Sequence, residues 1–133
     1  MKNEDFSYLL ARLPLAMSLF GHGAVRLHKL AEFSQWMTNS FSKSILPEIL
    51  VRPFSYALPI VELMIGVLLL VGLFTRFALA LGVLTMLVLI FGSSMIEQWN
   101  NVFIQLIYGA YFAILYRYVD YNRQSFDQLI FKQ

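Results

Sequence analysis

Glu62 is an acidic residue within an otherwise apolar stretch of the chain, residues 54–74. A stretch of this length can cross a bilayer as a helix, because ~20 helical residues span the ~30 Å hydrocarbon core. A carboxylate at that depth is costly, so such residues usually face a bundle interior or a wet cavity and have a partner. Glu62 is therefore the first candidate for a functional residue.

Three ionisable residues of an earlier apolar segment could pair with this carboxylate: Arg12, His22 and Arg26. We take the midpoints of the two spans to be near residues 16 and 64 and use the helical rise of 1.5 Å per residue. Glu62 then lies ~3 Å from the membrane centre and His22 ~9 Å from it on the same side. Arg12 lies ~6 Å from the centre on the opposite side. The sequence predicts a cluster of Glu62 with His22 or Arg26, which Arg12 reaches by snorkelling. Such a cluster could bind a ligand or could fix helix register, and the residues leave both interpretations open.

Helical spacing in the last apolar segment places Gln105, Tyr108 and Phe112 on one face. Gln105 and Tyr108 join the candidate ligand-binding residues, because mid-span aromatic rings beside a polar group could line a flat apolar ligand. Core packing is the alternative interpretation of these rings. No metal site is expected, because His22 lacks the several nearby ligands that a metal requires.

Four apolar segments could position these side chains. They are residues 6–27, 54–74, 77–96 and 102–119. Each is long enough to cross a membrane, and only helices satisfy their own backbone groups in lipid. The sequence predicts an all-α fold, an integral membrane four-helix bundle that forms a single domain over residues 1–133.

The connection between the first two segments, residues 29–52, is unusually long for a compact bundle. Apolar residues recur in it at helical spacing: Leu30, Phe33, Met37 and Phe41. This pattern predicts an amphipathic interfacial helix that lies on the membrane surface or caps the bundle.

Composition excludes several functional classes. The chain is 59% hydrophobic and 14% charged with a mean hydropathy of +0.64, whereas soluble domains are about 25% charged. It has no cysteine, which excludes thiol relays and thiolate-bound metals, and its net charge of +2 comes from scattered residues. Nucleic acid is therefore not an expected partner.

The distribution of Lys and Arg predicts the orientation. An even number of spans puts both termini on one side of the membrane. That side carries Lys2, Arg76, Arg117, Arg123 and Lys132, and the opposite side carries Lys29, Lys43 and Arg52. We therefore expect both termini in the cytoplasm.

Two stretches resemble the DoxX family of small bacterial four-span membrane proteins, which includes relatives of the small subunit of thiosulfate:quinone oxidoreductase. The first is Arg12 followed by Phe20-Gly21-His22-Gly23 and Arg26-Leu27. The second is Pro59-Ile60-Val61-Glu62 leading through Gly66 to Gly72-Leu73-Phe74-Thr75-Arg76. Arg26 stands where the family usually has Lys, which keeps the charge.

The resemblance implies a multi-pass protein of the bacterial inner membrane that serves as an accessory subunit of a membrane redox system. Its polar pocket, formed by Glu62, His22, Arg26 and Arg12, is expected to bind quinone or another small ligand, with no intrinsic cofactor. Expected partners are the lipid bilayer, a soluble or membrane redox protein and further copies of the chain. The alternatives are a non-catalytic scaffold or assembly factor whose cluster is structural, and a small transporter.

Overall fold

The computed structural model describes residues 2–131, and every regular element in that range is helical. The helices are α1 (Asn3–His28), α2 (Leu30–Ser40), α3 (Glu48–Val71), α4 (Thr75–Met95), α5 (Trp99–Arg117) and α6 (Phe126–Phe131), with a 3-10 turn at Val119–Tyr121. The all-α prediction is confirmed. Met1, Lys132 and Gln133, at the ends of the predicted domain, lie outside the described residues.

Two helices within residues 2–131, α3 and α4, are long and apolar enough to cross a membrane. The four predicted segments correspond to α1, α3, α4 and α5, with shifted ends. The largest shift is at the start of α3, six residues before the predicted position 54. Its first turns carry two charged residues, Glu48 and Arg52, which pair with each other one turn apart, so the helix begins before the predicted apolar segment.

α3 ends at Val71 rather than at residue 74 because Gly72 adopts a left-handed conformation with a φ of 73°. The N–H of Leu73 then donates to the Leu68 carbonyl at 2.9 Å, the pattern that closes a Schellman motif. The chain reverses here, so that α3 and α4 run antiparallel. We call this end of the molecule the turn end and the opposite end, where α2 lies, the α2 end.

Close packing of α1 against α3 depends on two reciprocal glycines. A Cβ at Gly23 would lie 2.8 Å from the Leu63 Cα, and a Cβ at Gly66 would meet the Phe20 backbone in the same way. Small residues at such positions let helix backbones approach closely. This contact is the most extensive between any two described helices, and it sets the register of α1 on α3.

α1 and α5 contact each other far less. Tyrosines join them near the turn end: the Tyr8 hydroxyl donates to the Leu115 carbonyl at 2.7 Å, and the Tyr111 hydroxyl donates to the Ala11 carbonyl at 2.5 Å. The hydroxyls of Ser18 in α1 and Tyr108 in α5 also form a hydrogen bond, which lies nearer the α2 end than the other two. Beyond it, toward the α2 end, the two helices leave space between them.

The long connection contains a helix, as predicted, although α2 ends at Ser40 and the remainder is turns. α2 packs on the start of α3 through the buried residues Ser34 and Met37. The Ser55 hydroxyl of α3 donates to the Ser34 hydroxyl at 2.7 Å. α2 therefore covers the end of the helix assembly at which α1 finishes and α3 begins.

Candidate functional site

A cavity of about 370 Å³ lies at the α2 end, between α1, α3, α4 and α5 and next to α2. Five of the predicted site residues line it: His22, Arg26, Glu62, Gln105 and Tyr108. They come from three helices, so the fold brings together residues that are far apart in the sequence. The cavity lies where α1 and α5 separate and where α2 covers the end of the helix assembly.

The Arg26 and Glu62 side chains form an ion pair in the cavity wall. Arg26 Nη1 donates to Glu62 Oε1 at 2.7 Å, and the Glu62 side chain is 5% exposed whereas that of Arg26 is 30% exposed. Phe33 of α2 lies against the guanidinium, with its ring centroid 4.6 Å from Arg26 Cζ. The buried carboxylate is therefore paired with a cation from α1, as a buried charge requires.

His22 has a defined hydrogen-bonding arrangement. Its Nδ1 lies 2.7 Å from the Ser18 carbonyl oxygen. A carbonyl can only accept, so Nδ1 carries a proton, and in the tautomer with a single ring proton Nε2 is an acceptor. The ring stands edge-on to Tyr108, with centroids 6.3 Å apart. His22 is exposed at the cavity, and its Nε2 can accept a proton or a hydrogen bond there.

Gln105 is held on one side only. Its Nε2 donates to the Ser93 hydroxyl at 3.0 Å. Its Oε1 is buried and has no hydrogen-bond partner among the described residues. Buried polar atoms are nearly always paired, and this unpaired acceptor belongs to a residue that lines the cavity.

Arg12 is not at this cavity. Its Nη1 donates to Asn122 Oδ1 at 2.5 Å and its Nη2 to the Gln124 carbonyl at 3.1 Å. Asn122 Nδ2 in turn donates to Thr75 Oγ1 at 2.9 Å. The predicted inclusion of Arg12 in the pocket therefore needs correction: its guanidinium points to the turn end, where the C-terminal segment supplies nearer partners than Glu62.

The C-terminal segment completes the turn end. The Asp127 carboxylate accepts from the backbone N–H of Phe74 at 2.6 Å and of Thr75 at 2.8 Å, which caps the start of α4. The Asp127 N–H donates to the Gly72 carbonyl at 2.9 Å. Arg76 pairs with Asp120 at 3.1 Å. The Gly72 to Arg76 stretch thus receives the tail and is remote from the cavity.

Sequence reasoning missed several cavity residues. Ser93 and Met86 come from α4, Trp36 from α2, Gln98 from the link between α4 and α5, and Asn101 from the first turn of α5. Asn101 Nδ2 donates to Gln98 Oε1 at 2.5 Å. The signal that could have found them is the occurrence of polar residues at the span ends on the same side as Glu62 and His22.

The cavity combines charged, amide and aromatic groups in a volume typical of small-molecule sites, about 300–1,000 Å³. Arg26 donates, Glu62 and His22 Nε2 accept, and Phe33, Trp36 and Tyr108 supply aromatic surface. Within residues 2–131 no three His, Asp or Glu side chains are grouped to hold a metal ion. The arrangement can bind a small flat molecule that carries polar oxygens and can exchange a proton with it.

Comparison with protein families matches residues 7–94 to the DoxX family. The matched range covers most of α1, all of α2 and α3, and all but the last residue of α4. It includes His22, Arg26, Glu62 and Ser93, whereas Gln105 and Tyr108 lie beyond it. Comparisons with curated proteins and with solved structures find no match.

Proposed function

The chain belongs to the DoxX family of membrane proteins, and we propose that it is an accessory subunit of a membrane redox system whose cavity binds the head group of a quinone. The single observation that carries this proposal is the cavity itself, which is lined by the Arg26–Glu62 pair, by His22 and by Gln105, whose Oε1 has no hydrogen-bond partner among the described residues. An ion pair that only fixes helix register accounts for Arg26 and Glu62. It accounts neither for the cavity nor for an amide oxygen without a donor.

The residues present fit a quinone. A bound quinone would supply a redox couple that takes up two electrons and two protons. Arg26 has N–H groups besides the one bonded to Glu62, and these can donate to a carbonyl oxygen. His22 Nε2 can accept from a hydroxyl of the reduced form, and Glu62 is a second acceptor. The chain has no cysteine, so it has no thiol redox chemistry of its own and would receive electrons from a partner protein.

We propose that four helices cross the membrane as a bundle, α1 and α5 together with α3 and α4. α1 has 26 residues and α5 has 19, lengths of ~39 Å and ~28 Å at 1.5 Å per residue. Their outward faces carry exposed apolar side chains that lipid would cover: Leu10, Met17 and Val25 on α1, and Phe103, Ile107 and Ile114 on α5. α2 would then lie at the interface and cap the bundle.

The Lys and Arg distribution supports insertion in the bacterial inner membrane with both termini in the cytoplasm. In that orientation the turn end faces the cytoplasm and the cavity lies toward the outer surface. A quinone head group also resides near a membrane surface, because its oxygens need water or polar partners.

The second candidate function is a non-catalytic scaffold or assembly factor. One observation favours it: the Arg26–Glu62 pair joins α1 and α3, which form the most extensive helix contact. Under this hypothesis the cluster fixes the register of the two helices and the cavity has no specific ligand.

Mass spectrometry of lipids that co-purify with the protein distinguishes the two candidates. The protein is purified in detergent, extracted with organic solvent and compared with Gln105→Leu, which removes the orphan oxygen at similar size. We expect near-stoichiometric quinone with the parent and a loss of at least tenfold in the variant. Equal trace amounts of quinone in both samples would favour the scaffold.

A further inference from the structure

A second cavity, of about 220 Å³, lies beside the first, between the C-terminal part of α2, the start of α3 and the last turns of α4. Its lining is apolar except for Ser93. Met37, Leu89 and Ser93 line both cavities. The two spaces therefore adjoin, one polar and one apolar, with Ser93 at their boundary.

Gly92 forms part of the wall of the second cavity. The Phe41 ring lies over this position, with Cζ 3.3 Å from the place that a Cβ would occupy. α3 and α4 meet at the turn end but contact each other little overall, which leaves a gap between them at the α2 end. The segment that follows α2 fills only part of this gap. Leu50, Val88 and Phe91 line the cavity while being largely exposed themselves, so it opens on the outer, apolar surface of the helices.

We propose that this second cavity binds the apolar chain of the same molecule whose polar head group lies in the first cavity. The ligand would thus be a lipid-like molecule, a flat oxygen-bearing head on a single hydrocarbon chain, rather than a water-soluble compound. This inference rests on the proposed function. Its support is that Met37, Leu89 and Ser93 line both cavities, so that only these side chains separate them, and that the apolar cavity opens on the outer, apolar surface of the helices.

The chain-binding role has a measurable consequence. Burial of as few as two methylene groups corresponds to about a tenfold gain in affinity. A ligand with a decyl chain should therefore bind at least tenfold more tightly than its head group alone. A leucine placed at Gly92 would press on the Phe41 ring, which also lines the apolar cavity, and would crowd that cavity and remove this gain. Neither Gly92 nor Phe41 lines the head-group cavity.

The experiment measures binding of decylubiquinone, and of the same head group without the chain, by quenching of tryptophan fluorescence in the purified protein. Trp36 lines the head-group cavity, and Trp99→Phe leaves it as the only tryptophan of the two in the chain. Three proteins are compared in this background: the parent, Gly92→Leu, and the control Gly21→Leu, where a Cβ meets nothing within 4 Å. Partition into detergent differs between the two ligands but is the same for all three proteins, so the change in the affinity ratio from one protein to another isolates the chain.

We expect the parent and Gly21→Leu to give the same affinity ratio, and Gly92→Leu to give a ratio at least tenfold lower with unchanged affinity for the head group alone. If Gly92→Leu does not fold, Val88→Phe at the cavity mouth serves in its place. If both Gly92→Leu and Val88→Phe keep the affinity ratio of the parent, the proposal that the second cavity binds the hydrocarbon chain is overturned, while the head-group site stands. Failure of both ligands to bind the parent would overturn the proposed function as well.

Discussion

Arg26 Nη1 lies 2.7 Å from Glu62 Oε1, and this pair joins α1 to α3 in the wall of the cavity. Glu62 is buried, whereas Arg26 is partly exposed and is covered on one side by the Phe33 ring. The two partners are therefore unequal: removal of the cation leaves a buried carboxylate, but neutralisation of the carboxylate leaves a cation that can still reach water.

This inequality predicts that Arg26→Ala destabilises the protein more than Glu62→Gln. The first change strands a buried charge, at a cost of about 3 kcal/mol, and the second leaves an amide that can still accept from Arg26. Thermal melts in detergent measure the difference. A melting temperature of Arg26→Ala equal to that of the parent would show that Arg26 does not hold Glu62.

Arg12 should act independently of Glu62, because its guanidinium binds Asn122 and the Gln124 carbonyl at the turn end. Effects of separated residues on the free energy of unfolding add, whereas those of paired residues do not. We expect Arg12→Ala and Glu62→Gln to be additive to within about 0.5 kcal/mol and Arg26→Ala and Glu62→Gln to be coupled. A double-mutant cycle tests both. Coupling of Arg12 with Glu62 would contradict the placement of Arg12.

Asp127 should stabilise the start of α4, since its carboxylate accepts from the Phe74 and Thr75 N–H groups. Loss of a helix cap costs about 1–2 kcal/mol. Asp127→Ala should lower the melting temperature and make the C-terminal segment accessible to protease. Asp120→Ala is the matched control, because Asp120 pairs with Arg76 on the surface, where such pairs contribute little. Equal effects of the two variants would show that the cap is unimportant.

Reporter fusions test the proposed topology. Fusions at Gln133 and Arg76 should report a cytoplasmic location, and one within residues 38–43 an external location, because Lys and Arg are more numerous on the terminal side. An external C-terminus would reverse the orientation and place the cavity toward the cytoplasm.

The sequence was sufficient to predict the pair of Glu62 with a first-span cation, because depth along a helix follows from residue number. It also indicated Gln105 and Tyr108 through helical spacing, and both line the cavity. These relationships depend on regular helices, which an apolar pattern identifies. The end of α3 was less predictable, since hydropathy continues through residue 74 whereas the backbone conformation of Gly72 ends the helix.

The true partners of Arg12 could not be predicted. Asn122 and Gln124 lie in an irregular segment whose sequence has no periodicity to indicate where it folds, and Asn122 is 110 residues from Arg12. Asp127 as a cap for α4 poses the same problem, because a cap supplied by a distant segment has no local pattern. The contribution of Ser93 was hidden for a different reason: a serine in an apolar helix can satisfy itself by bonding to its own backbone.

Quinone binding by the cavity is tested most directly by thermal stabilisation of the purified protein with decylubiquinone. Glu62→Gln and His22→Ala are compared with Glu48→Gln and His28→Ala, which make the same changes at exposed residues outside the cavity. We expect quinone to stabilise the parent and both controls. The two cavity variants should fold but should bind quinone about ten- to a hundredfold more weakly, because the loss of one hydrogen bond to the ligand costs ~1–3 kcal/mol. Equal stabilisation of all five proteins, or of none, would contradict the assignment of this cavity as a quinone site.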